Sequence, residues 1–409
     1  MVTISPFKAL RPNAQYAKQV ASRPYDVLNS KEAKIEAQGN PCSFLHITKS
    51  EIDLAETVDI HAQEVYDKAK ENLTAFISRN ILFREDKDCY YIYRLIMNGK
   101  SQTGLVCGSA VDDYENGLIK KHEFTRPDKE LDRINHIKTT GAQTGNVFLA
   151  YKNVLEIDEV INNWTKEKNP QYDFIADDHI QHSIWIISDD NTIEKITSLF
   201  ETKVPCTYIA DGHHRAASAA KVRASLGDHA TSGSNYFLTT LFPSNQLIIM
   251  DYNRVVRDLG EWNTDEFLDK IAQTFEIEKV ESSYKPAQLH TFGMYLNKQW
   301  YKLTSKAGTY TEDPIGVLDV SILQNNLLDP ILGIKDQRTD TRIDFVGGIR
   351  GLDALEKRVD SGEMALAISL YPVSIQQLFD IADSGNVMPP KSTWFEPKLR
   401  DGLLTHLIS

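Results

Sequence analysis

The chain has 409 residues, a formal net charge of −12, and 41% hydrophobic against 25% charged side chains, the balance of a water-soluble globular protein long enough for two or three domains. Its acidity, with a pI near 5.4, argues against a general nucleic-acid or anionic-membrane binder. Cys42, Cys89, Cys107 and Cys206 are scattered without a CxxC pair, which suits reduced structural thiols and gives no zinc-ribbon signal. No apolar run approaches the roughly 20 residues that span a bilayer. The start, MVTISPFKALRP, lacks the basic-then-apolar order of a signal peptide, so the expected location is cytoplasmic, without membrane or nucleic-acid partner.

Residues Met1 to Pro41, rich in Pro, Asn and Ser but carrying aromatics, read as an irregular arm lying over the body. Leu54, Val58, Ala62, Val65, Ala69, Leu73 and Phe76 recur at helical spacing and predict an amphipathic helix over Asp53 to Arg79. Cys89 to Gly99 and Ser101 to Ala110 form an expected hairpin turned at Asn98-Gly99. A polar knot follows, Val111 to Ile137, with a helix starting near Pro127 and running through Leu131, Ile134 and Ile137. On it, Lys129, Glu130, Asp132 and Arg133 read mostly as an exposed face, with Arg133 able to pair with an anion.

Val147 to Tyr151 and His182 to Ser188 are expected strands, and Val154 to Glu167 and Thr192 to Thr202 expected helices. This alternation argues for an α/β layer. Beyond Phe237 to Phe242 and Leu247 to Met250, both expected strands, the pattern changes. It predicts helices over Thr264 to Phe275, Asp319 to Leu328, Leu352 to Val359 and Ser374 to Asp383, and strands at Phe292 to Asn297, Trp300 to Thr304, Arg342 to Val346 and Met364 to Tyr371. The boundary is set near 250, giving a core of residues 1–250 and a C-terminal α/β portion of 251–409 that ends in a polar, Pro-rich loop.

The organising stretch is VPCTYIADGHHRAASAAKVRASLG, Val204 to Gly227. An apolar strand runs into the turn dipeptide Asp211-Gly212, then into an alanine-rich helix that stops at Gly227. Asp211, His213, His214 and Arg215 crowd onto the turn and the first helical turn. A helix start offers unpaired N–H groups and the positive end of the dipole, which favour phosphate. Adjacent helical positions diverge by about 100°. One imidazole is therefore expected to face the ligand and the other to brace the loop.

Other signatures fail. Arg126 rules out HExxH after His122-Glu123, Arg94 rules out a Walker A loop ending at Gly99-Lys100-Ser101, and there is no GxGxxG or GxSxG. Gly347-Gly348-Ile349-Arg350-Gly351 is a weak glycine loop, and Lys391-Ser392-Thr393 reads equally as a phosphate clamp or a capping turn. Glu123 is the leading general base, a carboxylate in a polar loop beside a strand end.

The chain resembles a bacterial family, long labelled a domain of unknown function, with an ADGHHR signature. The likeness runs through FKALRP, RPYDV, NPCSFLHI, QTG, DDYENG, KKHEFT with KELDR, YIADGHHRAASA, DYNRVV, RIDFVGG and MPPKSTWFEPK. More distantly, HE followed by DGHHR resembles the ParB/sulfiredoxin-type fold of free-serine kinases, though here the two motifs stand roughly twice as far apart, which requires an insertion between them. The resemblance implies an α/β fold with a ParB/sulfiredoxin-like core and Mg²⁺-dependent phosphoryl transfer to free serine or from O-phosphoserine. ATP, ADP or pyrophosphate would be the phosphate donor.

It further implies Glu123 as base, Asp211 at metal or phosphate, and His213, His214 and Arg215 on the transferring oxygens. Gly212, Ser218, His122, Thr125, Arg133, Arg342, Gly347, Gly348 and Lys391 are candidate substrate or phosphate contacts. The alternatives are a phosphoserine phosphatase using the same site, a non-catalytic ParB-like nucleotide switch, or a metabolite-binding regulator. A homo-oligomer is compatible with all of them.

Overall fold

The computed structural model describes residues 1–408, which form two units: residues 1–247 with 397–408, and residues 248–396. The fold class is mixed α/β. The last residues return to the first unit, a feature that a single cut near 250 does not contain. No helix among the described residues is long and apolar enough to cross a membrane.

In the first unit the elements are, in order, β1 (Ile4–Ser5), α1 (Gln63–Ser78), β2 (Tyr90–Met97), β3 (Lys100–Ala110), β4 (Ile119–Lys120), α2 (Pro127–Thr140), β5 (Val147–Tyr151), α3 (Leu155–Glu167), β6 (Tyr172–Ile175), β7 (Gln181–Ile187), α4 (Asp190–Lys203), β8 (Thr207–Asp211), α5 (His213–Leu226) and β9 (Tyr236–Pro243). Nine of the strands form one sheet in the order β4-β8-β5-β9-β3-β2-β7-β6, with β1 also pairing β3. Among the described residues of this sheet, β4–β8 and β5–β9 are the parallel pairs and the other pairings are antiparallel. At the β2–β3 turn, Asn98 and Gly99 both take positive φ (50° and 76°), as a two-residue type I′ hairpin requires. Ile157 and Ile161 of α3, Ile196 and Phe200 of α4, and Ala216 and Ala220 of α5 share one core with sheet residues such as Leu105, Leu149, Ile209 and Leu241.

Helix α1 starts at Gln63, ten residues later than the apolar spacing predicts. Ahead of it, Ser50–Asp53 winds as a 3₁₀ turn and the Asp59 carboxylate accepts the N–H of His61. Such local side-chain bonds compete with helix formation. Helix α2 starts at Pro127 and closes at Gly141, which takes φ 69°. It packs against α5 and α1, but its inward face is Glu130, Arg133, His136 and Ile137, while Leu131 is exposed. The expected exposed polar face is therefore partly the buried one.

In the second unit, β10 (Tyr252–Val256), α6 (Thr264–Ile271), β11 (Phe275–Val280), β12 (Thr291–Leu296), β13 (Gln299–Ser305), β14 (Ile343–Gly347), α7 (Asp353–Asp360), β15 (Leu366–Leu370) and α8 (Ile375–Asp383) build a six-stranded antiparallel sheet. Its order is β11-β13-β12-β15-β10-β14. Asn263 and Ser374 each begin a helix with a reciprocal capping box. The Asp319 helix ends at Leu323 and relaxes into a π turn over Gln324–Leu328, shortening the expected ten-residue helix.

The returning tail is stitched to the N-terminal arm. Leu10 and Thr405 exchange backbone hydrogen bonds, as do Ser22 and Asp401, and His406–Leu407 pairs with Ala142–Gln143. The Phe44 ring lies so close to Gly402 that a Cβ there would meet it at 2.6 Å.

Candidate functional site

Strand β8 delivers Asp211 to the end of the sheet, and the chain turns into α5 through Gly212 at φ 99°. The turn is tight as well as left-handed: a Cβ on Gly212 would stand 3.3 Å from Cα of Val147 and 3.4 Å from the Arg215 guanidinium carbon. The first backbone bond into the helix is Ala216 N–H to the Gly212 carbonyl, so the amides before it are not used within α5.

The two imidazoles both reach the loop before α2. The His122 N–H donates to Nε2 of His213 at 3.4 Å, and the Arg126 N–H donates to Nε2 of His214 at 3.0 Å. Each Nε2 is thus an acceptor, which leaves the ring proton on Nδ1. The expectation that one histidine braces the loop and the other faces the ligand is corrected here, because both are braces. They hold Glu123, whose Oε2 lies 3.8 Å from Nδ1 of His213. The two motifs that stand far apart in sequence are neighbours in space, and Glu123 keeps 47% of its side chain exposed.

His122 stacks edge-on against His213 with ring centroids 4.6 Å apart. Burial pushes the His122 imidazole down to about 4 against the pull of Asp211. Burial, then His122, pushes His213 well down too. His214 is lowered by burial. All three are neutral at physiological pH. The buried Nδ1 of His122 has no hydrogen-bond partner among the described residues.

Asp211 is surrounded by cations. The Lys398 ammonium lies 3.0 Å from its Oδ2, and the Arg215 guanidinium 3.8 Å from the same oxygen. Burial alone would raise this carboxyl, but Lys398 and Arg215 hold it well below the usual range. Arg215 in turn donates to Asp26 Oδ2 at 2.9 Å and to the Asn146 carbonyl, while its buried Nε has no hydrogen-bond partner among the described residues.

This donor set does not fit a protein-held Mg²⁺. A dication on Asp211 would sit within about 6 Å of two fixed positive charges, a repulsion of roughly 5 kcal/mol from each at an effective dielectric near 20. Among the described residues no group of three or more His, Cys, Asp or Glu is arranged to hold a metal. The assignment of Asp211 as a metal ligand is corrected to an ion-paired carboxylate.

The remaining candidates divide. Thr125 donates to Glu130 at the start of α2, and Lys221 of α5 pairs with the other oxygen of that carboxylate, so Thr125 serves the helix junction. Ser218 is fully buried and donates to the Glu130 carbonyl at 3.1 Å, which removes it from the turn. Arg133 is buried, holds Asp132 at 2.7 Å, and lies with its guanidinium carbon 4.0 Å from the centre of the Tyr25 ring.

Arg342, Gly347, Gly348 and Lys391 belong to the second unit and find their partners there. Arg342 pairs with Asp340 at 2.8 Å, and the Lys391 ammonium sits over the Tyr252 ring. A Cβ on Gly347 would meet Trp394 at 3.0 Å and one on Gly348 would meet Asp251 at 2.3 Å, so close packing explains both glycines.

Sequence reading misses Tyr25, Asp26, Thr144, Asn146, Lys398 and Asp401. The runs RPYDV, QTG and FEPK serve there only as marks of family resemblance, whereas folding brings them against Arg215 and Asp211.

The chain belongs to the family described as "Protein of unknown function (DUF1015)", whose model matches residues 4–321. Curated proteins give no match. Among solved structures it is similar to a free serine kinase in complex with AMP, at 10% identity and TM-score 0.36, covering 73% of this chain and 91% of that one. It is also similar to a conserved hypothetical protein from Pyrococcus furiosus, at 13% identity and TM-score 0.36, covering 74% and 95%. A third is SbnI with C-terminal truncation from Staphylococcus aureus, at 11% identity and TM-score 0.32, covering 74% and 87%. Likenesses at these scores carry no argument about chemistry.

Proposed function

We propose that this DUF1015 chain is a phosphotransferase acting on free serine or O-phosphoserine, built on a ParB/sulfiredoxin-like core, with its chemistry at the β8–α5 turn. One convergence supports the reading. The Glu123 carboxylate stands beside the first residue of a 14-residue helix, at a turn whose Asp211 is flanked by Arg215 and Lys398. A base next to an electropositive helix start is what hydroxyl phosphorylation needs.

In the kinase direction Glu123 takes the proton of the serine hydroxyl as its oxygen bonds to the terminal phosphorus of ATP, ADP or pyrophosphate. The phosphoanhydride P–O bond breaks, and its electron pair leaves with ADP, AMP or phosphate. The unpaired amides at the start of α5, with Arg215 and Lys398, spread the charge on the equatorial oxygens. His213 and His214 act as neutral struts that hold the Glu123 loop on the helix.

The test is ³¹P NMR on the purified chain with serine plus each donor, and with phosphoserine alone. Serine-dependent phosphate transfer lost in Asp211→Asn supports the reading. Hydrolysis of phosphoserine alone would make the same turn a phosphatase, and no turnover in any arm would overturn the proposal.

A further inference from the structure

Beside Arg215 lies a small cavity of about 20 Å³ whose polar wall includes Tyr25, Arg133, Gln143, Thr144 and Arg215, the rest of its lining being largely apolar. Both arginines are about nine-tenths buried, and the cavity borders the Arg215 side chain, whose buried Nε has no hydrogen-bond partner among the described residues. The Tyr25 ring lies 4.0 Å from the Arg133 guanidinium carbon and 6.0 Å from that of Arg215, so one aromatic face steadies both forks. Asp132 and Asp26 hold the two guanidiniums by other donors, Arg133 through Nε and Nη2 and Arg215 through Nη2.

We propose that this cavity is a carboxylate-binding subsite that takes the α-carboxylate of the small hydroxy amino acid on which the neighbouring turn acts. This rests on reading that turn as a phosphoryl-transfer site. Size points to a carboxylate: about one probe sphere, 10–15 Å³, is needed for a single water, so 20 Å³ suits one or two oxygen-sized atoms and excludes a nucleoside. Chemistry points the same way: with Arg215 Nη1 also spent on the Asn146 carbonyl, Arg215 Nε and Arg133 Nη1 remain among the described residues, one nitrogen donor from each guanidinium for the two oxygens of a carboxylate. Asp401 is buried and pushed up to about 8, so at neutral pH it adds no further negative charge to that of Asp132, Asp26 and Asp211, which already pair with the arginines. Arg215 is shared by cavity and turn, which couples recognition of the acid group to the reacting end.

The experiment is calorimetric titration of the full chain with L-serine, serinol (the same molecule with the carboxylate reduced to an alcohol), acetate and inorganic phosphate. Thr144→Val and Arg133→Lys are titrated alongside the parent, and both keep the volume or charge on which folding depends. Expected are at least tenfold weaker binding of serinol than of serine, competition between acetate and serine, and a threefold or greater loss of both in each variant. Serinol binding as tightly as serine, acetate failing to compete, or phosphate displacing acetate better than serine does would each overturn the subsite. Steady-state turnover separates the two readings. If serinol is phosphorylated with the KM of serine, the subsite fails and the phosphotransferase stands. If carboxylates bind as expected and nothing turns over, the phosphotransferase fails and the subsite stands.

Discussion

The Lys398 ammonium stands 3.0 Å from Oδ2 of Asp211, across 187 positions of chain, and ties the returning tail to the turn that opens α5. The two side chains are 18% and 30% exposed, so the pair is shielded without being sealed. A fully buried pair would be worth more; here a coupling of about 1–2 kcal/mol is expected. A double-mutant cycle of Lys398→Met and Asp211→Asn, read by thermal or urea unfolding, measures it. Coupling below a few tenths of a kcal/mol would mean that the tail docks without help from this contact.

Glu123 is half exposed, and Gln keeps the length of its side chain and one acceptor oxygen. Glu123→Gln is therefore expected to leave the unfolding temperature nearly unchanged while lowering the serine phosphorylation rate by about 10²–10⁴, the usual worth of a positioned base. A drop in stability with the rate intact would assign Glu123 a structural role.

Gly212 combines φ 99° with backbone at 3.3 Å from where a Cβ would stand. Gly212→Ala meets both obstacles, and a loss of about 1–3 kcal/mol is expected together with loss of activity. Differential scanning calorimetry checks the first. An alanine variant as stable as the parent would show that this turn has another accessible shape.

Two kinds of buried group set opposite pH trends. Burial lowers His122 to about 4, with Asp211 opposing; burial and Arg133 lower His136 to about 4. Their unfolded values are near 6.5, so the unfolded chain binds more protons between about pH 6.5 and 4, and stability falls as pH drops through that window. The loss is on the order of 3 kcal/mol for each residue. Asp401 behaves the other way: burial lifts it to about 8 against an unfolded value near 4, so its cost to stability grows as pH rises from about 4 to 8. Asp401→Asn removes that titration. Its melting temperature relative to the parent is expected to rise steadily between pH 5 and 8.5, and a flat difference would contradict a neutral Asp401.

Much of this architecture is legible in local pattern. Asn98-Gly99 specifies its hairpin because such residues tolerate two positive φ angles, and Pro127 marks the start of α2 because its fixed φ and missing N–H suit a first helical turn. What periodicity cannot reveal is a helix whose inward face is polar. Glu130 and Arg133 look like part of a solvated stripe, yet they are buried because α5 and the Tyr25 arm supply partners for them, and His136 beside them is buried against the Ile47 carbonyl. The Glu123–His213 contact is equally hidden, since spacing along the chain says nothing about how an intervening strand–helix excursion returns. Lys398 and Asp401 escape notice for a third reason: they lie beyond an entire inserted unit, in a run that reads as an ordinary polar loop.

That insertion bears on the order in which the molecule assembles. Bringing residues 187 positions apart together in a flexible chain costs about 4–5 kcal/mol of closure entropy, roughly three times the worth of the contact that closes the loop. Collapse of residues 248–396 shortens the effective tether, so the second unit is expected to form before the tail docks. A nascent chain caught at the earlier stage holds Asp211 beside Arg215 but lacks its ammonium partner, and full charge at the turn arrives as a late event of folding.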